Sequence, residues 1–355
     1  MLSSVDKNKF FGSLQIFRGI AALMVVYHHQ WNAFSHFFSY ENELLEFLAA
    51  IGKYGVDFFF VLSGFIITYT SFHKGGEIRE IQPYLLNRMV RIYIPYLPIG
   101  MAMLMLYNLF ESVSAADREV SWLTSLTLIP HGVPALSVAW TLVFEMMFYV
   151  LFILWFISKR AFNCFVIFWM LLILDHNYFH IVVDVNHGFP IWSYFLSFYN
   201  LAFILGHFIA RAYIVFPKPA EGLLWSGIGC TFVVLYLKWV DLPLFSHAYN
   251  FLVFFCFGLM IRGSLNINVR EIKTIGFLLG IGNASYSIYL LHNPLISFLV
   301  RIFPQVEMLI LDVLVFVFGF VICCLAGVLY SKIFEGFLMK KAKGTIERHL
   351  ALITS

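Results

Sequence analysis

Three ionisable groups lie inside a stretch that is apolar enough to cross a membrane. Residues 13–34 carry Arg18 and the adjacent His28 and His29 among mostly apolar side chains. Ionisable groups are costly in a bilayer and usually mark a functional path. In an α-helix, the step from Arg18 to His29 rotates to within about 20° of whole turns and rises about 16 Å. We therefore predict that Arg18 and His29 share one helix face as the two ends of a reaction channel.

A carboxylate occupies the middle of the fourth apolar run. Glu145 lies within residues 136–157, flanked by Trp140 and Tyr149. A carboxyl group at that depth must be protonated or paired. One interpretation is a structural hydrogen bond to a neighbouring helix. The other is catalytic: Glu145 orients His29 and stabilises its charged form, as the buried acid does in hydrolytic triads.

Two arginines precede the third apolar run. Arg88 and Arg91 are three residues apart and so share a helix face. They are either ordinary membrane-interface anchors or, with Arg18, a clamp for a phosphate-bearing ligand such as a nucleotide-containing acyl carrier. No glycine-rich phosphate loop accompanies them, so nucleoside triphosphate hydrolysis is not expected.

Composition places the chain among membrane proteins. It is 61% hydrophobic and 12% charged, with 41 phenylalanines in 355 residues. We predict an all-α polytopic fold with about ten transmembrane helices, in a single domain spanning residues 1–355. The expected spans are 14–34, 55–72, 92–110, 136–157, 161–176, 191–210, 222–240, 247–261, 275–299 and 307–334. Residues 121–131 are too short to cross and are expected at the interface.

Basic residues predict the orientation. With the N-terminus in the cytoplasm and ten spans, four of the 23 Lys and Arg residues fall outside: Lys53, Arg118, Lys238 and Arg301. This bias predicts that both termini are cytoplasmic, and it explains the net charge of +3 without a nucleic-acid partner. The five cysteines fall in apolar runs, so we expect neither disulfides nor a metal site. No cleavable signal peptide is expected.

Five sequence blocks resemble the acyltransferase-3 family of integral membrane proteins, which transfer acyl groups, commonly acetyl, to extracytoplasmic carbohydrate. The blocks are FRGIAALMVVYHH (17–29), GVDFFFVLSGFIIT (55–68), RMVRIYIPYL (88–97), AWTLVFEMMFY (139–149) and SYSIYLLHNPL (285–295). The family's functional elements fall on Arg18 and His29, on Arg88 and Arg91, on Trp140 and Glu145, and on Ser285, Tyr286, Ser287 and His292. Two positions depart from the usual pattern, Thr141 and Asn293, and the change at Asn293 makes the resemblance a weaker guide to the role of His292.

The resemblance implies a reaction in the bacterial inner membrane. Acetyl-CoA would be a co-substrate held by Arg18, Arg88 and Arg91, with no tightly bound cofactor, and His29 and Glu145 would be catalytic. His29 would act either as a general base or as an acyl carrier. The acceptor would be a hydroxyl of a surface polysaccharide or lipid-linked glycan, so polysaccharide-assembly proteins are expected partners. The residues assigned to the acceptor are His292, Tyr286, Tyr289, Trp140 and Asp57.

Several alternatives stay open at this point. Asp57 also suits helix capping, and His292 also suits a structural bond. Some relatives carry a fused extracytoplasmic esterase-like domain, which is not expected here. A proton-coupled transporter of a small anionic or sugar substrate would also need buried Arg, His and Glu, but the half repeats typical of that class are not found. The acceptor sugar and the choice of acetyl, succinyl or another short acyl group are not encoded in any motif that we recognise.

Overall fold

The computed structural model describes residues 11–38, 40–110, 119–179, 190–243, 248–269, 275–302, 309–342 and 344–345. Within these ranges the chain is helical, and its backbone pairing outside helices is one isolated bridge between Val120 and Val133. The helices are α1 (Gly12–Phe38), α2 (Glu43–Gly52), α3 (Gly55–Ser71), α4 (Ile81–Leu109), α5 (Trp122–Thr127), α6 (Trp140–Leu151), α7 (Ile153–Ile157), α8 (Lys159–Leu174), α9 (Pro190–Phe195), α10 (Asn200–Val215), α11 (Glu221–Trp239), α12 (Ala248–Ser264), α13 (Ile275–Ile302) and α14 (Leu309–Tyr330).

Helix covers most of the described residues of each predicted apolar run, with a break at residues 196–199 between α9 and α10, and the all-α expectation is confirmed for the described residues. Seven helical segments of the described chain are long and apolar enough to cross a membrane. The chain is therefore a multi-pass membrane protein, while a count of ten stays a prediction. Helices α1 and α13 are long enough to span, with 27 and 28 residues. They are not among the seven segments because their polar side chains lower the mean hydropathy. Helix α12 has 17 residues, which is short for a span.

The chain divides into two compact units that alternate along the sequence. Unit 1 comprises the described residues within Met1–Ala21, Lys53–Glu77 and Phe152–Gly282. Unit 2 comprises those within Ala22–Gly52, Ile78–Leu151 and Asn283–Ser355. Most of the residues singled out from the sequence, including both catalytic candidates, belong to unit 2.

In unit 1, α3 and α10 approach each other at two glycines. A Cβ built on Gly64 would lie 2.1 Å from the Phe203 carbonyl oxygen, and one on Gly206 would lie 2.1 Å from the Val61 carbonyl oxygen. Small residues let helix backbones come this close in a membrane, where packing contributes much of the association energy. The two glycines therefore set the spacing of the central helix pair of this unit.

Gly64→Ala is expected to lower the thermal stability of the purified protein in detergent. The new methyl group would meet backbone, which cannot rotate away, and overpacking of this kind costs about 1–3 kcal/mol. Gly229→Ala in α11 is the matched control, because a Cβ there meets nothing within 4 Å. Equal melting temperatures for the two variants would contradict the packing assignment.

A chain of buried polar groups crosses the interior of unit 1. The Thr68 hydroxyl lies 2.9 Å from His207 Nδ1, and Asn163 Oδ1 lies 3.2 Å from His207 Nε2. Arg211 donates to the same Asn163 oxygen at 2.8 Å. Thr68 and His207 are both 0% exposed. Because both imidazole nitrogens have a partner, His207 is a structural residue that links three helices.

Thr68→Val is expected to destabilise the protein by about 1–3 kcal/mol, the usual cost of a buried polar group that loses its partner. The substitution nearly preserves volume, so little of the loss would come from packing. Thr70→Val on the same helix is the control, since Thr70 is exposed and bonds to carbonyls of its own helix. Thermal unfolding in detergent measures both, and an equal shift in the two variants would rule out the network as the cause.

In unit 2, an aromatic cluster holds the second half of α1. Trp31, Phe34 and Ala49 are buried together, and Phe316 of α14 packs against them. The ring centroids of Phe34 and Phe316 are 5.4 Å apart. This packing fixes the face of α1 that lies one turn beyond His29.

Tyrosine hydroxyls anchor α4, which contains Pro95 and Pro98. Proline removes a backbone donor and leaves a carbonyl of the preceding turn without its helical partner. Near these prolines, Tyr286 donates to the Ile92 carbonyl at 3.1 Å and Tyr330 donates to the Pro95 carbonyl at 2.9 Å. These bonds hold α4 against α13 and the end of α14.

Candidate functional site

Two histidines from distant parts of the sequence meet in unit 2. His29 lies on α1 and His292 on α13, and their ring centroids are 5.1 Å apart. His29 is half-buried, whereas His292 is 0% exposed. The sequence predicted a role for each, but it did not predict that they touch.

His28, the neighbour of His29, is held by local bonds. Its Nδ1 lies 2.8 Å from the Ala49 carbonyl oxygen, and its Nε2 lies 3.2 Å from the Asn32 amide nitrogen. A nitrogen that faces a carbonyl carries the proton, so the other accepts from Asn32. With both nitrogens engaged, His28 fastens α1 to α2.

Helix α6 presents three polar side chains on one face. Thr141, Glu145 and Tyr149 recur every four residues, so together they cover about 12 Å along the helix axis. At one end, the Thr141 and Tyr289 hydroxyls are 2.9 Å apart and both bond to the Val138 carbonyl. The Tyr289 ring in turn lies 5.6 Å from the His292 ring. This end of the row therefore leads to the histidine pair.

Glu145 bonds to a residue on its own helix. The Tyr149 hydroxyl donates to Glu145 Oε1, and the carboxylate also interacts electrostatically with Tyr286 and Tyr289. The ring contacts of His29 are to His28 and His292. A role for Glu145 toward His29 would thus pass through Tyr289 and His292.

Arg88 lies at the other end of the row. Its guanidinium is 5.4 Å from the centroid of the Tyr149 ring and 5.7 Å from that of Tyr84, and Tyr84 donates to the Tyr149 carbonyl at 3.2 Å. Aromatic rings on two sides hold this guanidinium by cation–π attraction. Arg91 is exposed and interacts electrostatically with Tyr149 and Tyr286.

Two further residues predicted to meet the acceptor also lie in unit 2. Tyr286 is half-buried, and its hydroxyl bonds to α4 as described above. Trp140 is half-buried at the start of α6, and its ring lies 5.9 Å from the Phe144 ring.

Arg18 and Asp57 belong to unit 1. Arg18 donates to Gln15 at 3.3 Å on its own helix, and α1 is continuous from Arg18 to His29, as predicted. Asp57 is 5% exposed in the first turn of α3. Nearby, Lys53 and Lys238 both lie over the Tyr54 ring, at 5.3 and 5.5 Å.

These two lysines were assigned to the same membrane side from the sequence, and they lie together in the structure. Which side that is stays a prediction, and Arg118, assigned to the same side, lies outside the described residues. Asp57 interacts electrostatically with both lysines. It lies in the first turn of α3, where a carboxylate is favoured by the helix dipole, while the N-cap position is Tyr54 and has no side-chain cap hydrogen bond. Capping and acceptor binding both stay predictions.

Sequence reasoning missed an acidic residue at this site. Glu335 ends a π-helical turn, Ser331–Glu335, and accepts a hydrogen bond of 2.6 Å from the buried Ser287. It also interacts electrostatically with Tyr286. The available signal was a lone carboxylate at the end of the last apolar run, but a π turn shifts the helical register, so regular periodicity could not place it.

The family model described as an acyltransferase domain matches residues 11–331. The match covers most of the chain and every site residue predicted from the sequence. The chain belongs to the acyltransferase-3 family. No curated protein and no solved structure matches it. This member of the family is therefore a multi-pass membrane acyltransferase, and Glu335 lies beyond the matched range.

Proposed function

We propose that this acyltransferase moves an acetyl or other short acyl group from cytoplasmic acyl-CoA to a carbohydrate hydroxyl. The acceptor would be a surface polysaccharide or a lipid-linked glycan at the outer face of the bacterial inner membrane. Family membership supports acyl transfer in general. The donor, the acceptor, the location and the choice of an oxygen acceptor are the content of the proposal.

One observation carries the proposal: the polar row of unit 2 has a cation at one end and imidazoles at the other. Arg88 stacks beside Tyr149, while Tyr289 and His292 lie beside Thr141. The two ends are separated by about 12 Å of helix. Acyl-CoA has a similar division, with phosphates at one end of an extended pantetheine arm and the thioester at the other.

At the donor end, Arg88 and Arg91 would hold the phosphates of acyl-CoA. Guanidinium groups suit phosphate because their fork of donors binds two oxygens at once. Arg18 is assigned to the same ligand from the sequence alone. Glu145 and Tyr149 would set the position of Arg88 and line the path of the arm.

At the other end, His29 would carry out the transfer. It would either remove the proton of the acceptor hydroxyl as that oxygen attacks the thioester, or attack the thioester itself and then pass the acyl group on. Either route ends with an ester on the glycan and CoA as the free thiol. Glu145 is a positioning residue in both, acting through Tyr289 and His292. Residues assigned to the acceptor are His292, Tyr286, Tyr289, Trp140 and Asp57.

The test is to measure ester-linked acyl groups on glycan from cells that make surface polysaccharide. Proton NMR of purified polysaccharide would compare cells with the native protein, with His29→Ala and without the gene, after membrane levels are matched. We expect acetyl esters with the native protein alone. Identical spectra in all three would contradict the proposal.

A further inference from the structure

His292 has one nitrogen with a partner and one without. Its Nδ1 lies 3.3 Å from the Ile288 carbonyl oxygen. Because a carbonyl only accepts, Nδ1 carries the proton of a neutral imidazole and Nε2 keeps a lone pair. Among the described residues, Nε2 is buried and has no hydrogen-bond partner. A buried acceptor left unpaired costs about 1–3 kcal/mol, so this nitrogen is suited to a donor that arrives with the substrate.

His292 is also held firmly in place. Its ring contacts Tyr289, whose hydroxyl is fixed by Thr141 and the Val138 carbonyl. The Cys323 thiol of α14 donates to the His292 backbone carbonyl, with Sγ 3.7 Å from the oxygen. A base must be positioned accurately with respect to the proton that it removes, and these contacts supply that positioning.

Two imidazoles in contact can divide work that one alone cannot do. A ring nitrogen that has bonded to an acyl carbon no longer has a lone pair for a proton. If His29 carries the acyl group, a second base is needed when the acceptor hydroxyl attacks. The His292 ring centroid is 5.1 Å from that of His29, so an acceptor that attacks an acyl group on His29 would lie close to His292.

We infer that His29 is the acyl carrier and that His292 is the general base for the acceptor hydroxyl. The inference rests on the proposed function and deepens it by choosing between its two routes. It also changes the predicted role of His292 from acceptor binding to proton removal.

The steps balance as follows. The lone pair of His29 attacks the thioester carbon and the carbon–sulfur bond breaks. CoA leaves as thiolate, and the acyl group stays on His29 as a cationic acylimidazole. The acceptor oxygen then attacks the acyl carbon while its proton passes to His292 Nε2. The carbon–nitrogen bond breaks and returns neutral His29. The proton on His292 is finally delivered through solvent to the thiolate, so the products are an ester and a thiol.

The test separates the two half-reactions in purified protein reconstituted with lipid. The donor is acetyl-CoA labelled in the acetyl group, and the acceptor is glycan extracted from the source cells and freed of esters by mild alkali. Free thiol reports the first step, and alkali-labile label on the glycan reports the second. The variants are His292→Gln, His292→Gly and, as a neighbouring imidazole outside the proposed machinery, His28→Gln.

In His292→Gln, we expect glycan ester formation to fall by about 10²- to 10⁴-fold, with a burst of about one thiol per enzyme and label bound to the protein. In His292→Gly, free imidazole should restore part of the transfer rate, which a purely structural residue would not allow. His28→Gln should transfer at a rate close to native.

Native transfer rates in both His292 variants would overturn the inference and leave the proposed function intact. The inference would also be overturned if a stably folded His292→Gln variant lost both the thiol burst and glycan transfer. His292 would then be needed before the acceptor arrives. Failure of the native protein to label the glycan would instead reject the proposed function. Thermal unfolding in detergent identifies any variant that has not folded.

Discussion

Replacing His29 by alanine is expected to reduce acyl transfer by at least about 10³-fold, because it removes the group that attacks the thioester or activates the acceptor. The two imidazoles beside His29 have other roles. His28 is bonded to Ala49 and Asn32, and His292 is assigned to the proton of the acceptor rather than to the thioester carbon. The rate of thiol release from acetyl-CoA by reconstituted protein measures the effect.

His28→Ala provides the matched control for His29→Ala. It removes an imidazole from the adjacent position, and its cost should fall on the α1–α2 contact rather than on chemistry. We therefore expect it to lower the free energy of unfolding by about 0.5–3 kcal/mol, the usual range for a point mutation. Its rate of thiol release should stay within a few-fold of native. If His29→Ala retained native rates in well-folded protein, the assignment of His29 would be wrong.

Replacing Arg88 by glutamine is expected to reduce kcat/KM for acetyl-CoA by about 10- to 100-fold. A hydrogen bond to a charged group contributes about 1.5–3 kcal/mol, and the loss should appear mainly in KM because Arg88 binds the donor away from the reacting carbon. Arg160→Gln is the control: it removes a basic residue that was assigned to the same membrane side, but which is exposed at the start of α8.

A truncated donor sharpens this prediction. Acetylpantetheine has the thioester and the arm but lacks the nucleotide phosphates, so Arg88→Gln should lose little activity with it. A similar loss with both donors would show that Arg88 supports the fold or the chemistry, and the phosphate-binding role would then be rejected. Steady-state rates of thiol release with the two donors provide the comparison.

The sequence predicted the long apolar helices, but not α2 (Glu43–Gly52) or the start of α4 at Ile81. Apolar side chains must be buried or face lipid, and the described part of each long apolar run is mostly helical. Some contacts join residues one turn apart in a helix, such as Arg88 with Tyr84 and Tyr149 with Glu145. Such contacts within a helix depend on spacing alone.

Contacts between helices could not be predicted in the same way. Nothing in the spacing of residues indicates that His29 meets His292, or that Tyr289 meets Thr141, because these pairs depend on how α1, α6 and α13 are rotated against one another. For Glu145, the sequence suggested His29 as a partner, which stays a prediction, and the structure adds a hydrogen bond from Tyr149 that was not predicted. The π turn before Glu335 adds a register shift that no regular pattern reveals.

The central claim is that this acyltransferase joins an acyl group from acyl-CoA to a glycan hydroxyl. It is tested most directly by incubating reconstituted native protein with acetyl-CoA carrying a ¹³C-labelled acetyl group and ester-free glycan, followed by NMR of the glycan. The account predicts labelled acetyl esters on sugar carbons and their absence with His29→Ala. Glycan that stays unlabelled while the native protein is folded and acetyl-CoA is present would contradict it.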